Sequence, residues 1–230
     1  KPIIISIIFL AIYGSFLYNI TAFKEEGKPL SPMAIITILL YTIIFIFLIV
    51  SYFGIIIKGP GYLAFDYAIH HKTDLTWEDQ KTTFAIFKQE VDFARENARP
   101  PRSSFSVLAR RFVLRADHYC VWTESWIGLR NYRYFLLMTL YAFLFAFLYI
   151  ISLHWRASYL YNHNDKLTII HYISLCIPLL VTLFMYVVMY LSLTHFLEAF
   201  ANLSHNVTGI ELYKATKENK KLPVSYDKKC

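Results

Sequence analysis

Charged residues are scarce here: Asp, Glu, Lys and Arg make up 17% of the 230 residues, whereas 57% are hydrophobic. That balance excludes an ordinary soluble domain, in which apolar residues come nearer to half, and places the chain in a bilayer. Cysteine is scarcer still, at three residues, so sulfur chemistry rests on Cys120, Cys176 or Cys230. No small-residue cleavage pattern follows the first apolar stretch, and that stretch is too long for the core of a signal peptide, which excludes a signal followed by a single anchor. No internal repeat, low-complexity run or long linker sets off a second domain. The apolar stretches carry no acidic or basic residue near their middle, where transport sites usually place one, so a transporter or channel fits poorly.

What the sequence has is apolar length. A spanning helix needs about 20 predominantly apolar residues, and four stretches reach it: Ile3 to Phe23, Met33 to Ile57, Tyr134 to Trp155 and Leu167 to Leu193. The expected fold is an all-α polytopic membrane protein with four transmembrane helices and a compact cytosolic domain between the second and third. Residues 1–57 hold the first two helices, 58–133 the domain, 134–193 the last two helices and 194–230 a tail. Cationic residues set the orientation. Nineteen of the 23 Lys and Arg residues fall in residue 1, in 58–133 and in the tail, so both termini and the central domain are expected in the cytosol. The net charge of +7 is then one-sided. It suits anionic membrane lipids or a phosphate-rich ligand, and not nucleic acid, because the basic residues flank spans instead of forming a soluble basic domain. Sequons at Asn202 and Asn206 would be cytosolic, and the one at Asn19 lies at the mouth of the first span.

Gly59-Pro60-Gly61 closes the second span with a turn no helix carries through. Beyond it, Thr76 is a plausible N-cap with Asp79 three residues on, and Phe84, Phe87, Val91 and Ala94 predict a helix to about Asn97. Arg99-Pro100-Pro101-Arg102-Ser103 ends it. From Ser104 to Asn131 there is no clean period.

Within that stretch lies Asp117-His118-Tyr119-Cys120. Residues two apart on a helix face nearly opposite ways, so cooperation between His118 and Cys120 requires a turn or a strand. The chemistry would be that of an activated thiol: the thiolate is the nucleophile, an imidazole takes its proton or stabilises the anion, and an acid orients the imidazole. Alone, four residues are a weak signal, equally consistent with a cap residue, a core histidine and a buried thiol.

Their surroundings strengthen it. "RPPRS", "VLRADHYCVW", "IGLRNYRYF", the Gly-Pro-Gly after the second span and "NVTGIE" after the fourth together resemble the DHHC family of protein S-acyltransferases, the palmitoyltransferases of eukaryotic membranes. The resemblance implies Cys120 as the acylated nucleophile, His118 as its base and Asp117 as the residue that orients the base. It also implies acyl-CoA, in particular palmitoyl-CoA, as co-substrate, with Trp122 beside the nucleophile; the basic residues Arg99 and Arg102 are candidates for the CoA phosphates, or else for lipid headgroups or solvent. Asn131, Thr208 and Glu211 are supporting residues. Protein substrates with membrane-proximal cysteines are the implied partners, in the endoplasmic reticulum, Golgi or plasma membrane, and a cavity among the four helices would hold the acyl chain.

The departures from the family matter as much. Its central domain carries two zinc ions, whose eight ligand positions correspond here to Asp92, Arg95, Phe105 and Phe112, and to Ser106, Ala109, Tyr119 and Trp126. None is Cys or His, so no zinc is expected. Aromatic residues at 105, 112, 119 and 126 suggest an apolar substitute for metal. Thr-Thr-x-Glu has become Thr208-Gly209-Ile210-Glu211, and the missing second Thr is expected to loosen the support of Asp117. Pro after the Cys has become Val121. Two readings follow: a zinc-free S-acyltransferase, or a catalytically silent relative that binds lipids or a partner. Cys176, beside Pro178 in the fourth span, is expected to pack as a small hydrophobe.

Overall fold

Where a run of apolar residues offers a bilayer no polar side chain, the backbone N–H and C=O groups must pair among themselves, and a helix does this within one segment. A computed structural model of the protein describes residues 2–21, 29–63, 102–106, 109, 111–163 and 169–217. Among them the long helices are α1 (Pro2–Thr21), α2 (Pro32–Lys58), α3 (Tyr132–His163) and α4 (Ile169–Ser204), followed by the short α5 (Gly209–Lys217). All four long helices are long and apolar enough to cross a membrane, and the chain is an integral membrane protein. The expected helix from Thr76 to Asn97, with Asp92, Arg95 and Arg99, lies outside the described residues.

The ends of α2 follow from local chemistry. Ser31 caps its start, its hydroxyl accepting from the amide of Ala34 at 3.2 Å, with Pro32 at the first helical position, where a missing N–H costs nothing. Gly59 at φ 61° stops it, the left-handed residue that commonly ends a helix. The last two helices run further than hydropathy suggests. Helix α3 continues past Trp155 to His163, and α4 passes through Thr194, His195 and Glu198 to Ser204, because those polar segments contain no Gly or Pro to break the ladder.

The chain divides into two compact units, residues 1–53 with 134–201 and residues 54–133 with 202–230. The core of the first is a pile of rings: Phe16 lies 3.5 Å from Tyr41 between centroids, and Tyr41 lies 4.5 Å from Phe145. Hydroxyl pairs, Tyr13 with Thr42 and Ser15 with Tyr149, each 2.8 Å, add fixed points. Buried Arg156 donates to Asn19 Oδ1 at 2.9 Å and lies over the Tyr18 ring, and the Asn19 side chain of the sequon is fully buried. Cys176 is exposed, not packed as the sequence suggested.

The second unit corrects the all-α expectation. It contains two antiparallel hairpins: β1 (Ser103–Ser106) with β2 (Arg111–Leu114), and β3 (His118–Cys120) with β4 (Ser125–Ile127). The turn after α2 extends the first hairpin, since Leu63 N–H donates to Phe112 C=O at 2.9 Å and Leu114 N–H to Gly61 C=O at 3.1 Å. Strands of three and four residues are too short to show a period in sequence.

Candidate active site

A strand turns successive side chains to opposite faces. In β3 this puts His118 and Cys120 on one face and Tyr119 on the other, the extended geometry that cooperation between the first two requires. Register then pairs Tyr119 with Trp126 and Cys120 with Ser125. Asp117, just before the strand, is locked to β4 by its N–H on Ile127 C=O at 2.9 Å.

The three residues form a relay. Asp117 Oδ2 lies 2.8 Å from His118 Nδ1, which fixes the ring and leaves Nε2 for the thiol. Cys120 is buried at 4% exposure. Burial opposes charge on the imidazole, but hydrogen bonds to Asp117 and Cys120 outweigh it and raise the His118 pKa from 6.5 to about 9. Burial likewise opposes ionisation of Cys120, yet hydrogen bonds from His118 and from the Thr123 side chain and backbone hold its pKa below the ordinary value. The two shifts describe one event, a proton moving from sulfur toward imidazole, and both act in the direction of a thiolate–imidazolium pair.

Asp117 has a second partner that the sequence analysis missed. Its Oδ1 accepts from the backbone N–H of Gly209 at 2.5 Å. Loss of the second Thr therefore does not leave the acid unsupported, because the first amide of α5 holds it. That amide is placed by a capping box: Thr208 N–H donates to Glu211 Oε2 at 2.8 Å, and Glu211 N–H approaches Thr208 Oγ1 at 3.4 Å. The Thr-x-x-Glu spacing was the available signal.

Arg102 clamps the same cap. Its Nε and Nη2 donate to the two oxygens of Glu211 at 2.7 and 2.9 Å, and Nη2 and Nη1 reach Asn206 O and Oδ1 at 2.7 and 3.4 Å. The structure thus gives every guanidinium nitrogen of Arg102 a protein partner. Burial opposes the charge of Glu211, but Arg102 and the Thr208 amide overcome it and keep the carboxyl below its ordinary range. Arg115 also donates to Asn206 Oδ1, at 2.6 Å. Arg102, Arg115 and Asn206 all have positive φ, and nothing in their sequence announced the cluster.

Two further residues fix the hairpin to the end of α2. Asn131, fully buried, accepts from Gly128 N–H at 2.9 Å and donates to Trp126 O at 2.8 Å and Ile55 O at 3.3 Å. Gly128 leaves no room for a side chain, since a Cβ there would lie 2.7 Å from Pro60 O and 2.9 Å from Leu114 O. Trp122, in the turn after Cys120, is 61% exposed.

The positions that carry zinc in the resembling family do not fit a metal here. Phe105 and Phe112, directly opposite in register, meet edge to face at 5.2 Å, and so do Tyr119 and Trp126 at 5.9 Å. Trp126 Nε1 donates to Ser106 Oγ at 3.0 Å, and Ala109 N–H donates to the same oxygen at 3.2 Å. The four residues of the second quartet are therefore drawn together by ring contact and hydrogen bonds, with no thiolate or imidazole among them. Of the four aromatics only Phe112 is fully buried, while Tyr119 is 39% exposed; the apolar substitute is a pair of clasps more than a filled core.

The chain is similar to known proteins. The protein is 28% identical over 156 residues, 65% of its own length and 52% of the relative's, to "Probable protein S-acyltransferase 12" of Arabidopsis thaliana. It is 36% identical over 115 residues to "Palmitoyltransferase ZDHHC23-A" of Danio rerio, covering 44% of this chain and 28% of that one. Over 72 residues it is 41% identical to "Palmitoyltransferase ZDHHC9" of Bos taurus, 28% of this chain and 20% of that one. The chain spans about half the length of the Arabidopsis relatives it matches. Because the family model for DHHC palmitoyltransferase matches residues 86–216, more than half of the chain and all of the relay described above, the chain belongs to the DHHC palmitoyltransferase family.

Proposed function

We propose that the protein is an S-acyltransferase that moves a long-chain acyl group, palmitoyl first among them, from acyl-CoA through a thioester on Cys120 to a cysteine of a membrane-proximal protein substrate. The relay of Asp117, His118 and Cys120, with Asp117 Oδ2 2.8 Å from His118 Nδ1 and a Cys120 thiol whose pKa is lowered, is the observation that carries this reading. In the first step Sγ attacks the thioester carbonyl carbon, the new C–S bond forms, the bond to the CoA sulfur breaks, and His118 Nε2 returns a proton to that sulfur. In the second, neutral His118 takes the proton of the substrate thiol, whose sulfur attacks the acyl-enzyme and expels the Cys120 thiolate.

We read the domain as zinc-free, with the two aromatic clasps in the place of metal. Both termini and residues 58–133 are assigned to the cytosol, of an endomembrane or of the plasma membrane, with Arg99 and its basic neighbours toward CoA or lipid phosphates. Purified protein incubated with labelled palmitoyl-CoA tests the reading: a hydroxylamine-sensitive label should appear on wild type and vanish in Cys120→Ser, because an alcohol needs far stronger activation than a thiol. Label persisting in Cys120→Ser would move the nucleophile to Cys176 or Cys230. Folded wild type that never labels would establish the silent-relative reading.

A further inference from the structure

Every polar group of the relay has a described partner except one beside it. Thr123 is 2% exposed, and its Oγ1 is buried with no well-formed hydrogen bond among the described residues. It sits in the loop Val121 to Glu124 that joins β3 to β4, where Val121 and Trp122 are each 61% exposed. Glu124 follows at φ 49°, and of these three only Thr123 is buried. Its side chain and its backbone both face the Cys120 sulfur, close enough to act on the thiol though not in good hydrogen-bond geometry with it. A buried hydroxyl that meets its neighbouring sulfur only in poor geometry is unfavourable, and valine would fill the same volume without that penalty. The oxygen therefore calls for a group that arrives later.

We propose that Thr123 is a further catalytic residue, whose hydroxyl donates the hydrogen bond that receives the thioester carbonyl oxygen while Cys120 attacks. The inference rests on the acyl-transfer reading above. As the sulfur–carbon bond forms, the electron pair of the C=O bond moves onto oxygen. A preorganised donor next to the nucleophile stabilises that charge, and the bond relaxes when the carbonyl re-forms and the CoA sulfur leaves with the proton from His118. The same hydroxyl serves the second transfer, in which the acyl-enzyme carbonyl passes through the same charge.

Thr123→Val and Thr123→Ser, compared in two reactions of the full chain, decide it. With palmitoyl-CoA, Thr123→Val should slow single-turnover formation of the acyl-enzyme about 10²-fold, the common worth of one such donor, with KM changed by no more than about threefold, and Thr123→Ser should restore most of the rate. With iodoacetamide, which is displaced at a saturated carbon and forms no oxyanion, Cys120 alkylation should change by less than about fivefold in either variant. Thr123→Val acylating at the wild-type rate would overturn the proposal. So would a proportional fall in acylation and alkylation, which would make Thr123 a support for the thiolate alone. Wild type that alkylates at Cys120 but never acylates would remove the acyl-transfer reading itself, and the inference with it.

Discussion

The helical unit and the smaller unit are held together by different means. In the first, rings of Tyr13, Phe16, Tyr41, Phe45 and Phe145 share contacts, with centroids from 3.5 to 6.0 Å apart, so no single pair defines the arrangement. In the second, geometry hangs on point contacts: a carboxylate on a ring nitrogen, an amide on the other carboxylate oxygen, a guanidinium on a cap, a glycine that admits no Cβ. Distributed packing degrades by degrees, whereas a point contact is present or absent. The helical unit should therefore answer substitution in stability, and the smaller one in both stability and chemistry.

The largest break in that comparison should come from His118→Ala. Acyl-enzyme formation should slow by roughly 10²–10⁴-fold, and thermal unfolding in detergent should move to lower temperature, because the variant also loses the stability that the charged imidazole contributes. The same residue gives the pH profile its alkaline limb. Its pKa is raised, to about 9, so the imidazolium is fully present below 6.5 and lost as pH rises through about 9, and both the acylation rate and the stability it contributes should fall there. A flat profile from pH 7 to 10 would count against the ion pair.

Next in size, Phe112→Ala removes a buried ring and one half of a clasp, and should destabilise by about 3–5 kcal/mol in chemical unfolding; a loss near zero would mean the clasp is ornamental. Gly128→Ala should follow, at about 1–3 kcal/mol, because its new carbon meets two backbone oxygens that cannot rotate away. Glu211→Gln probes the cap. The Glu211 pKa is depressed, so its contribution is present above the ordinary carboxylate value of 4.5 and disappears as pH falls below it. The variant should be less stable at neutral pH and show a flatter acid limb.

The smallest effect should be Tyr41→Phe in the helical unit. The Tyr41 hydroxyl is buried with no hydrogen-bond partner among the described residues, so its removal should be neutral or stabilising by about 1 kcal/mol. A clear loss would show that this unit, too, depends on a point contact.

The same division explains what could be read before the fold was known. The four spans were legible because about 20 apolar residues in a row have few other uses, although α3 and α4 outran hydropathy where polar residues such as His195 and Glu198 did not interrupt the helix. The relay was legible as an adjacent acid, histidine and cysteine that a turn or a strand could align, and β3 holds the histidine and the cysteine on one face. The pairing of Arg102 with Glu211 was not, because 109 residues separate them and each alone is an ordinary surface charge. Thr123 was invisible for another reason: it is buried in a turn that passes through a left-handed residue at 124, and Glu at that position is no signal for such a turn.

The amide of Gly209 has a consequence for heredity. A bond donated by the main chain is not encoded in any side chain, so exchanging residue 209 cannot delete it, with one exception: proline has no N–H yet is at home at the start of a helix. Space is no barrier either, since a Cβ at 209 would lie at an ordinary 3.4 Å from Asp117 Oδ1. Selection can therefore let this position drift without touching the acid. Its tolerance to mutation would say nothing of the amide's importance, and only Gly209→Pro, or an ester in place of that one peptide bond, would expose it.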